Sequence, residues 1–328
     1  MTRLGISLLV SALALAGCTA PAPPAELYDV LIRNGTVYDG SGAAPQKVDV
    51  AVRGDRVVAL LPVGTKAEAT NTIDAAGLAV APGFINALSW ATESLIADGR
   101  GMSDTKQGVT LEIFGEGWSM GPINEKMKAE SLKQQADITY PIDWTTLGEY
   151  LEFLEKRGIT PNVASFVGAT TVRIHELGED DVKADPKQLA AMQDVVRQAM
   201  REGALGVGGS LIYPPATFAS SEELIALAQA AAESGGGYVA HMRSEADRFL
   251  EALDETIAIS RATGQRAEAY HLKAAGEKNW PKMAQAIAKI EAARAEGLPV
   301  SANMYVYTAG ATALTAGLPP WVQAGGQD

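Results

Sequence analysis

Two of the three histidines in the chain, His241 and His271, lie thirty residues apart, and each ends a short apolar segment. A helix-patterned stretch over 244–263 separates the two segments, so the local order is strand, helix, strand. Consecutive strands joined in this way run parallel, and their carboxyl ends lie at the same edge. Imidazole is the commonest metal ligand in proteins. The spacing therefore predicts that both imidazoles meet at one rim of a sheet or barrel, as half of a metal site.

A third ligand is available in a glycine-rich loop. Glu116 lies between two glycines shortly after a predicted strand. A carboxylate and two imidazoles can hold Zn²⁺ and leave one position open for water. Zinc lowers the pKa of such a water toward about 7 and polarises a substrate carbonyl. The ordinary alternatives are a structural histidine at each strand end and a solvated Glu116, and the matching positions of the two histidines favour the metal site.

Charged residues near the two histidines suggest one binding role and one structural role. Lys273 lies two residues after His271, on the same side of an extended strand. Its ammonium group could pair with the carboxylate of a substrate. We expect Arg243 and Glu245 to form a local ion pair, and we assign no role to His175.

The segments that position these residues alternate between apolar strands and helices from residue 80 onward. Such alternation predicts parallel strands. The recurring spacing of roughly 30 to 40 residues favours an α/β fold of the (β/α)8 TIM-barrel type over an open doubly wound sheet. No GxGxxG sequence follows a strand, which weakens the nucleotide-binding alternative. The predicted strands are 80–88, 109–114, 162–168, 205–210, 238–242, 267–272 and 300–305, and the principal predicted helices are 146–156, 186–202, 221–234, 245–263 and 280–296.

The domain organisation follows from the same patterns. Residues 27–80 alternate as strands with turn signals, including Asn34-Gly35, which is typical of a tight hairpin. We predict a small antiparallel β-sandwich unit there and the barrel over 81–328, with an insertion at the barrel rim over 120–157. About seven barrel strands can be counted rather than eight. We therefore expect the chain to be C-terminally incomplete, without strand eight and the strands after it; the alternative is a strand missed in the count.

The first residues have the pattern of an export signal. An arginine precedes an apolar run over 4–16, and the stretch that ends in Gly17-Cys18 resembles a bacterial lipobox. We predict a lipoprotein signal peptide over 1–18, a lipid on Cys18 and a proline-rich tether over 19–26. Thr19 favours the periplasmic face of the outer membrane of a Gram-negative bacterium. The alternative is an ordinary signal peptide and a secreted protein.

The composition limits the choice of partners. The 328 residues carry a formal net charge of −12, which argues against nucleic acid as a partner because phosphate binding needs a basic face. There is no internal apolar run of the length that a transmembrane helix needs. We expect a small-molecule partner, and membrane contact only through the lipidated Cys18.

Several motifs resemble the amidohydrolase superfamily, and most of them resemble its N-acyl-D-amino-acid deacylase branch. The resemblance extends over roughly residues 27–328 and is most specific over 238–321. The motifs are Ala79-Val-Ala-Pro-Gly-Phe-Ile, His241-Met-Arg-Ser-Glu, Tyr270-His-Leu-Lys-Ala-Ala-Gly, Asn279-Trp, Met304-Tyr-Val-Tyr-Thr-Ala-Gly and Leu318-Pro-Pro-Trp-Val.

This resemblance implies a hydrolase that cleaves the amide of N-acyl-D-amino acids on one tightly bound zinc ion. The zinc ligands of the family are a cysteine after strand two and the histidines of strands five and six, which match Glu116, His241 and His271 here. The family's clamp for the substrate carboxylate implies that role for Lys273, together with Tyr213 and Tyr305. A carboxylate can replace a thiolate on zinc, although it is a harder ligand and can change the metal preference.

The chain also departs from the family pattern. The family's His-x-His after strand one is replaced by Leu88-Ser-Trp90, so we expect the second, weaker metal site to be absent. A further family histidine is replaced by Ala169. The family's general base is an Asp of strand eight, which we expect to lie outside this chain. Three hypotheses remain open: a zinc-dependent N-acyl-D-amino-acid deacylase, a metal-dependent dipeptidase or cyclic amidase, and a non-catalytic binding lipoprotein on the same scaffold.

Overall fold

The computed structural model describes residues 27–326. The predictions for the signal peptide, Cys18 and the tether lie outside the described residues. The chain divides into two compact units, the first ending at Pro82 and the second beginning at Gly83. No helix in the described part of the chain is long and apolar enough to cross a membrane.

The first unit is built around a connected six-stranded sheet in the order β5-β1-β3-β2-β6, with β4 also paired to β3. Two expectations for this unit were wrong. The sheet is mixed, because β1 pairs with β5 in parallel and β2 pairs with β6 in parallel. The turn at Asn34 does not make a hairpin, because β1 and β2 each pair with β3 instead. The strands are β1 Leu27–Arg33, β2 Thr36–Val37, β3 Gln46–Arg53, β4 Arg56–Pro62, β5 Glu68–Asp74 and β6 Ala79–Val80.

The second unit contains parallel strands that follow one another in chain order. One sheet has the order β7-β8-β9 and the other the order β10-β11-β12-β13-β14. Only Phe166 separates β9 from β10, so these two short strands together correspond to the single strand predicted over 162–168. Counted in this way, the parallel strands among the described residues occupy seven positions, as predicted. The strands are β7 Phe84–Asn86, β8 Val109–Phe114, β9 Asn162–Ser165, β10 Val167–Gly168, β11 Gly206–Ser210, β12 Gly237–His241, β13 Ala267–Ala269 and β14 Val300–Ala302.

Helices occur between most of these strands and include all five predicted ones. Two of the helices are preceded by a capping box. In each, the side chain of the N-cap residue accepts a hydrogen bond from the backbone N–H three residues later, and the side chain of that later residue accepts one from the N-cap N–H. The helices are α1 Thr92–Ala97, α2 Met102–Thr105, α3 Glu125–Gln134, α4 Leu147–Arg157, α5 Ala169–Leu177, α6 Pro186–Arg201, α7 Ser221–Ala232, α8 Phe249–Thr263 and α9 Lys282–Ala295.

The start of α8 differs from the prediction, and the difference matters for the site. The Ser244 hydroxyl accepts hydrogen bonds from the N–H groups of Ala246 and Arg248, which makes a turn of residues 244–248. The helix therefore begins at Phe249 rather than at Glu245. Glu245 is left in the loop after β12, where its side chain lines the main pocket.

The largest hydrophobic core lies between the strands and helices of the second unit. Its fully buried members come from both kinds of element, for example Val207 on β11 and Leu224 and Leu227 on α7. Burial of a large aliphatic side chain stabilises the folded state by about 1.5–3 kcal/mol. This core fixes the strands whose carboxyl ends carry the candidate site.

Candidate metal centre

Glu116, His241 and His271 meet at the carboxyl ends of the strands. The Glu116 Oε1 atom lies 2.7 Å from His271 Nε2 and 3.4 Å from His241 Nδ1. One ligand atom from each residue lies within 4.8 Å of the other two, and the two imidazole rings are 4.5 Å apart. Glu116 and His241 are each only 6% exposed. The solvated alternative for Glu116 is therefore wrong.

Two glycines turn Glu116 inward. Gly115 and Gly117 have φ of 101° and 76°, in the left-handed region that favours glycine. A Cβ on Gly117 would lie 2.1 Å from the Cβ of Ser210, and a Cβ on Gly115 would lie 2.2 Å from the carbonyl oxygen of Phe166. The loop thus packs directly against Ser210 and Phe166, and the Glu116 side chain between the two glycines lines the pocket.

The two histidines are positioned by different means. His241 is the last residue of β12, as predicted. His271 lies two residues beyond β13, because that strand is shorter than predicted and ends at Ala269. The backbone of His271 has φ of 38°, and its N–H donates to Asn303 Oδ1 over 2.7 Å. Lys273 therefore does not share one side of an extended strand with His271, contrary to the prediction.

Trp90 holds the other oxygen of Glu116. The indole Nε1–H donates to Glu116 Oε2 over 2.9 Å. Trp90 stands at the second position of the replaced His-x-His pattern, and both it and Leu88 line the pocket without offering a metal ligand. Ala169 stands where the family has a further histidine. It is buried and is the first residue of α5.

Glu245 is a member of the site that the sequence reasoning missed. Its Oε1 lies 2.9 Å from His271 Nδ1 and 3.9 Å from His241 Nε2. It also accepts a hydrogen bond of 2.5 Å from Lys273 Nζ. The expected pair with Arg243 is wrong, because Arg243 binds Glu255 on α8 instead. The signal in the sequence that could have identified Glu245 is its position four residues after His241.

Burial and hydrogen bonding act in opposite directions on the pKa values of the site. Burial alone would raise the pKa of Glu116, but its hydrogen bonds to His241 and His271 outweigh burial and lower it. Burial would lower the pKa of His271, but its hydrogen bonds to Glu116 and Glu245 outweigh burial and raise it. Two carboxylates thus favour positive charge at His271, and a divalent cation between Glu116 and the histidines would satisfy the same demand.

The three side chains fit a metal ion on their own chemistry. His241 Nε2 is buried without a hydrogen-bond partner among the described residues. A buried polar atom of this kind is uncommon and calls for an explanation such as an ion. One carboxylate and two imidazoles match the ligand types that zinc takes in proteins.

The predicted substrate-binding residues line the same pocket, which has a volume of about 760 Å³. The Tyr213 hydroxyl is 2.8 Å from Thr312 Oγ1, and the Tyr213 ring meets the edge of His241 at 5.2 Å between centroids. Lys273 Nζ lies 5.6 Å from the centroid of the Tyr305 ring. The Lys273 ammonium group already forms an ion pair with Glu245. A substrate carboxylate that bound Lys273 would therefore share this ammonium group with Glu245.

Comparisons with known proteins identify relatives over most of the chain. A D-aminoacylase of Alcaligenes xylosoxydans xylosoxydans is 32% identical over 291 residues, which is 88% of this chain and 59% of the relative. A solved D-aminoacylase structure, described as defining a novel subset of amidohydrolases, is also 32% identical, with a TM-score of 0.77 over 86% of this chain and 59% of that one. No family model matches the chain.

A second solved structure carries a metal and an inhibitor. It is an N-acyl-D-glutamate deacylase of Bordetella bronchiseptica in complex with zinc and a phosphonate that mimics the tetrahedral intermediate. It is 29% identical, with a TM-score of 0.76 over 86% of this chain and 59% of that one. The present chain thus spans about 59% of the length of the relatives that it matches. The chain is a homologue of the D-aminoacylases, which the first of these structures describes as a novel subset of amidohydrolases.

Proposed function

We propose that the protein is a metal-dependent hydrolase of linear amide bonds that deacylates N-acyl-D-amino acids. The observation that carries the proposal is the convergence of Glu116, His241 and His271 in the pocket that Lys273 also lines. Relatives named for deacylation of N-acyl-D-amino acids support the substrate class. Cyclic amides and dipeptides contain the same amide bond. Their hydrolysis should therefore be compared with that of N-acyl-D-amino acids, because it would indicate a cyclic amidase or a dipeptidase instead.

We also propose that a single zinc ion occupies the centre, held by Glu116 Oε1 and one nitrogen of each histidine. When bound, zinc would acidify a water and polarise the amide carbonyl. Trp90 keeps Oε2 engaged, so Glu116 offers one oxygen rather than two. Neither Leu88 nor Trp90 can act as the ligands of a second ion.

The remaining polar residues bind and orient the substrate. Lys273 is the cation available for the substrate carboxylate, and Tyr213 and Tyr305 line the walls on either side of the two imidazoles. Glu245 Oε1 lies 2.9 Å from His271 Nδ1, which it shares with Lys273 Nζ at 2.8 Å; with a metal bound, Glu245 would accept the proton of Nδ1 and leave Nε2 for the metal. An eighth parallel strand, on which the family carries its general base, is not present among residues 27–326.

The test is hydrolysis of matched N-acetyl-D- and N-acetyl-L-amino acids by the full-length gene product supplied with Zn²⁺, because this chain without the general base is not expected to turn over. We expect turnover of the D series, lost on chelation and in His271→Gln. Exposed Gln107, which does not line the pocket, provides a control in Gln107→Ala. Stoichiometric zinc binding without turnover of any amide would support the non-catalytic binding protein instead.

We further propose that Cys18 is lipidated and tethers the protein to the periplasmic face of the outer membrane. The lipobox-like sequence before Cys18 supports this location. Incorporation of an alkyne-labelled fatty acid by the wild type, and none by Cys18→Ser, is the expected result. Equal labelling of both proteins would refute the proposal.

A further inference from the structure

A second cavity adjoins the pocket of the metal centre. It has a volume of about 430 Å³ and shares three wall residues, Trp90, Trp118 and Gln134, with the main pocket. Gly115, the neighbour of Glu116, also lines it. Small-molecule sites have volumes of about 300–1,000 Å³. The cavity is therefore large enough for part of a ligand, and it begins directly beside the candidate ligand Glu116.

The wall of this second cavity is aromatic and aliphatic. Trp144, Tyr140, Ile142 and Ile123 line it and are buried. The rings of Tyr140 and Trp144 stack with centroids 6.1 Å apart, and Trp144 also packs against Phe153. Packing of this kind fixes the side chains in place, so the cavity is formed before a ligand arrives.

Several polar groups of the wall are already hydrogen-bonded within the protein. The Tyr140 hydroxyl donates to Glu93 Oε1 over 2.6 Å, and the Trp144 indole N–H donates to the Met120 carbonyl over 2.6 Å. Gln135 bonds to both the N–H and the carbonyl of Tyr140. Among residues 27–326, no lysine or arginine lines the cavity. The wall thus offers apolar contact and little that would bind an anion.

The position of the cavity decides which part of a substrate it would hold. An N-acyl amino acid has its carboxylate on one side of the scissile carbonyl and its acyl chain on the other. Lys273 and Tyr305 line only the main pocket, whereas the second cavity begins at Gly115 and Trp118. With the carboxylate at Lys273 and the carbonyl at the metal centre, an acyl chain would have the second cavity open to it on the side of Gly115 and Trp118.

We propose that this cavity is an acyl-binding subsite that selects bulky, uncharged acyl groups, such as phenylacetyl or hexanoyl, over acetyl. The inference rests on the proposed function and adds the identity of the acyl group. An anionic acyl group such as succinyl would lose its hydration there and meet Glu93 without a cation to pair with. The preferred substrates are therefore N-acyl-D-amino acids with an aromatic or medium-length aliphatic acyl group.

The experiment compares kcat/KM for N-acetyl-, N-hexanoyl-, N-phenylacetyl- and N-succinyl-D-leucine. We expect the hexanoyl and phenylacetyl substrates to exceed acetyl at least tenfold and succinyl to be the poorest. Ser131, half-buried on α3, lines the cavity, and Ser131→Phe should remove most of the preference for the bulky acyl groups. Ala129→Phe places the same ring on an exposed position of the same helix and should keep the preference.

Binding to the metal-free protein separates this inference from the proposed function. Trp90, Trp118 and Trp144 line the cavity, so tryptophan fluorescence should report N-phenylacetyl-D-leucine at concentrations at least tenfold below those needed for N-acetyl-D-leucine. Such binding without turnover would refute the deacylase and leave the subsite in place. Equal kcat/KM and equal binding for both acyl groups, or equal effects of Ser131→Phe and Ala129→Phe, would overturn the subsite.

Discussion

The two oxygens of the Glu116 carboxylate have different neighbours. Oε1 lies beside both imidazoles, whereas Oε2 accepts the indole N–H of Trp90. A hydrogen bond to a charged group contributes about 1.5–3 kcal/mol. The indole therefore fixes which oxygen is free for a metal, at the place where the family pattern would have a second histidine.

Removing this hydrogen bond should weaken metal binding without emptying the site. In Trp90→Phe the ring remains but the donor is lost, so Glu116 can rotate or offer both oxygens. We expect zinc affinity to fall about tenfold, in keeping with the free energy of one charged hydrogen bond. Competition with a chromophoric chelator measures the affinity, and the visible spectrum of the Co²⁺ form reports the coordination.

Trp280→Phe is the matched control for this change. Trp280 is 63% exposed and lines neither of the two adjoining cavities. The control should bind zinc as the wild type does. An unchanged affinity and Co²⁺ spectrum in Trp90→Phe would show that the indole does not orient Glu116.

Glu245 should act on the metal through His271. Its Oε1 faces His271 Nδ1 at 2.9 Å, where it would accept a proton from Nδ1 and leave Nε2 for the metal. Loss of such a carboxylate partner costs about 10–100-fold in metal affinity. We expect this loss in Glu245→Gln, measured by the same competition. Glu251→Gln, at an exposed position of α8, should be neutral, and equal affinities for the two variants would contradict the role.

At the scale of elements, the site depends on close contact between the Glu116 loop and β11. A Cβ on Gly208 would lie 1.8 Å from the carbonyl oxygen of Gly115. Gly208→Ala must therefore displace backbone, and overpacking of this kind costs about 1–3 kcal/mol. We expect a lower free energy of unfolding in urea together with weaker zinc binding, because the displaced loop carries Glu116.

The control for this prediction is Gly317→Ala. Gly317 has no heavy atom within 4 Å of the added Cβ and lies in an exposed 3₁₀ turn. Its stability and zinc affinity should match the wild type. Wild-type stability in Gly208→Ala would show that the loop and strand are less tightly coupled than the distances indicate.

The order of the elements could be predicted because apolar runs and glycine-ended helices are local signals. His241 falls on a strand end for that reason. The role of Glu245 could not be predicted, since it depends on a side-chain turn at Ser244 that delays the helix. Trp90 and Glu116 meet only through the packing of two loops, and the second cavity depends on how the 120–157 insertion folds.

At the scale of the whole molecule, the candidate centre lies entirely within the second unit, which begins at Gly83. The chain spans about 59% of the length of its relatives, yet the three candidate ligands all lie within residues 116–271. Metal binding is thus a property that this chain can be expected to show by itself. It can be measured independently of turnover.

The most direct test is the zinc stoichiometry of the purified protein together with its zinc X-ray absorption spectrum. We predict about one zinc per chain in a shell of nitrogen and oxygen that includes two imidazoles, and loss of that zinc in His271→Ala. Because Cys18 is the only cysteine in the chain, Cys18→Ser should leave the spectrum unchanged. A sulfur ligand, or full zinc occupancy in His271→Ala, would contradict the assignment of Glu116, His241 and His271 as the metal centre.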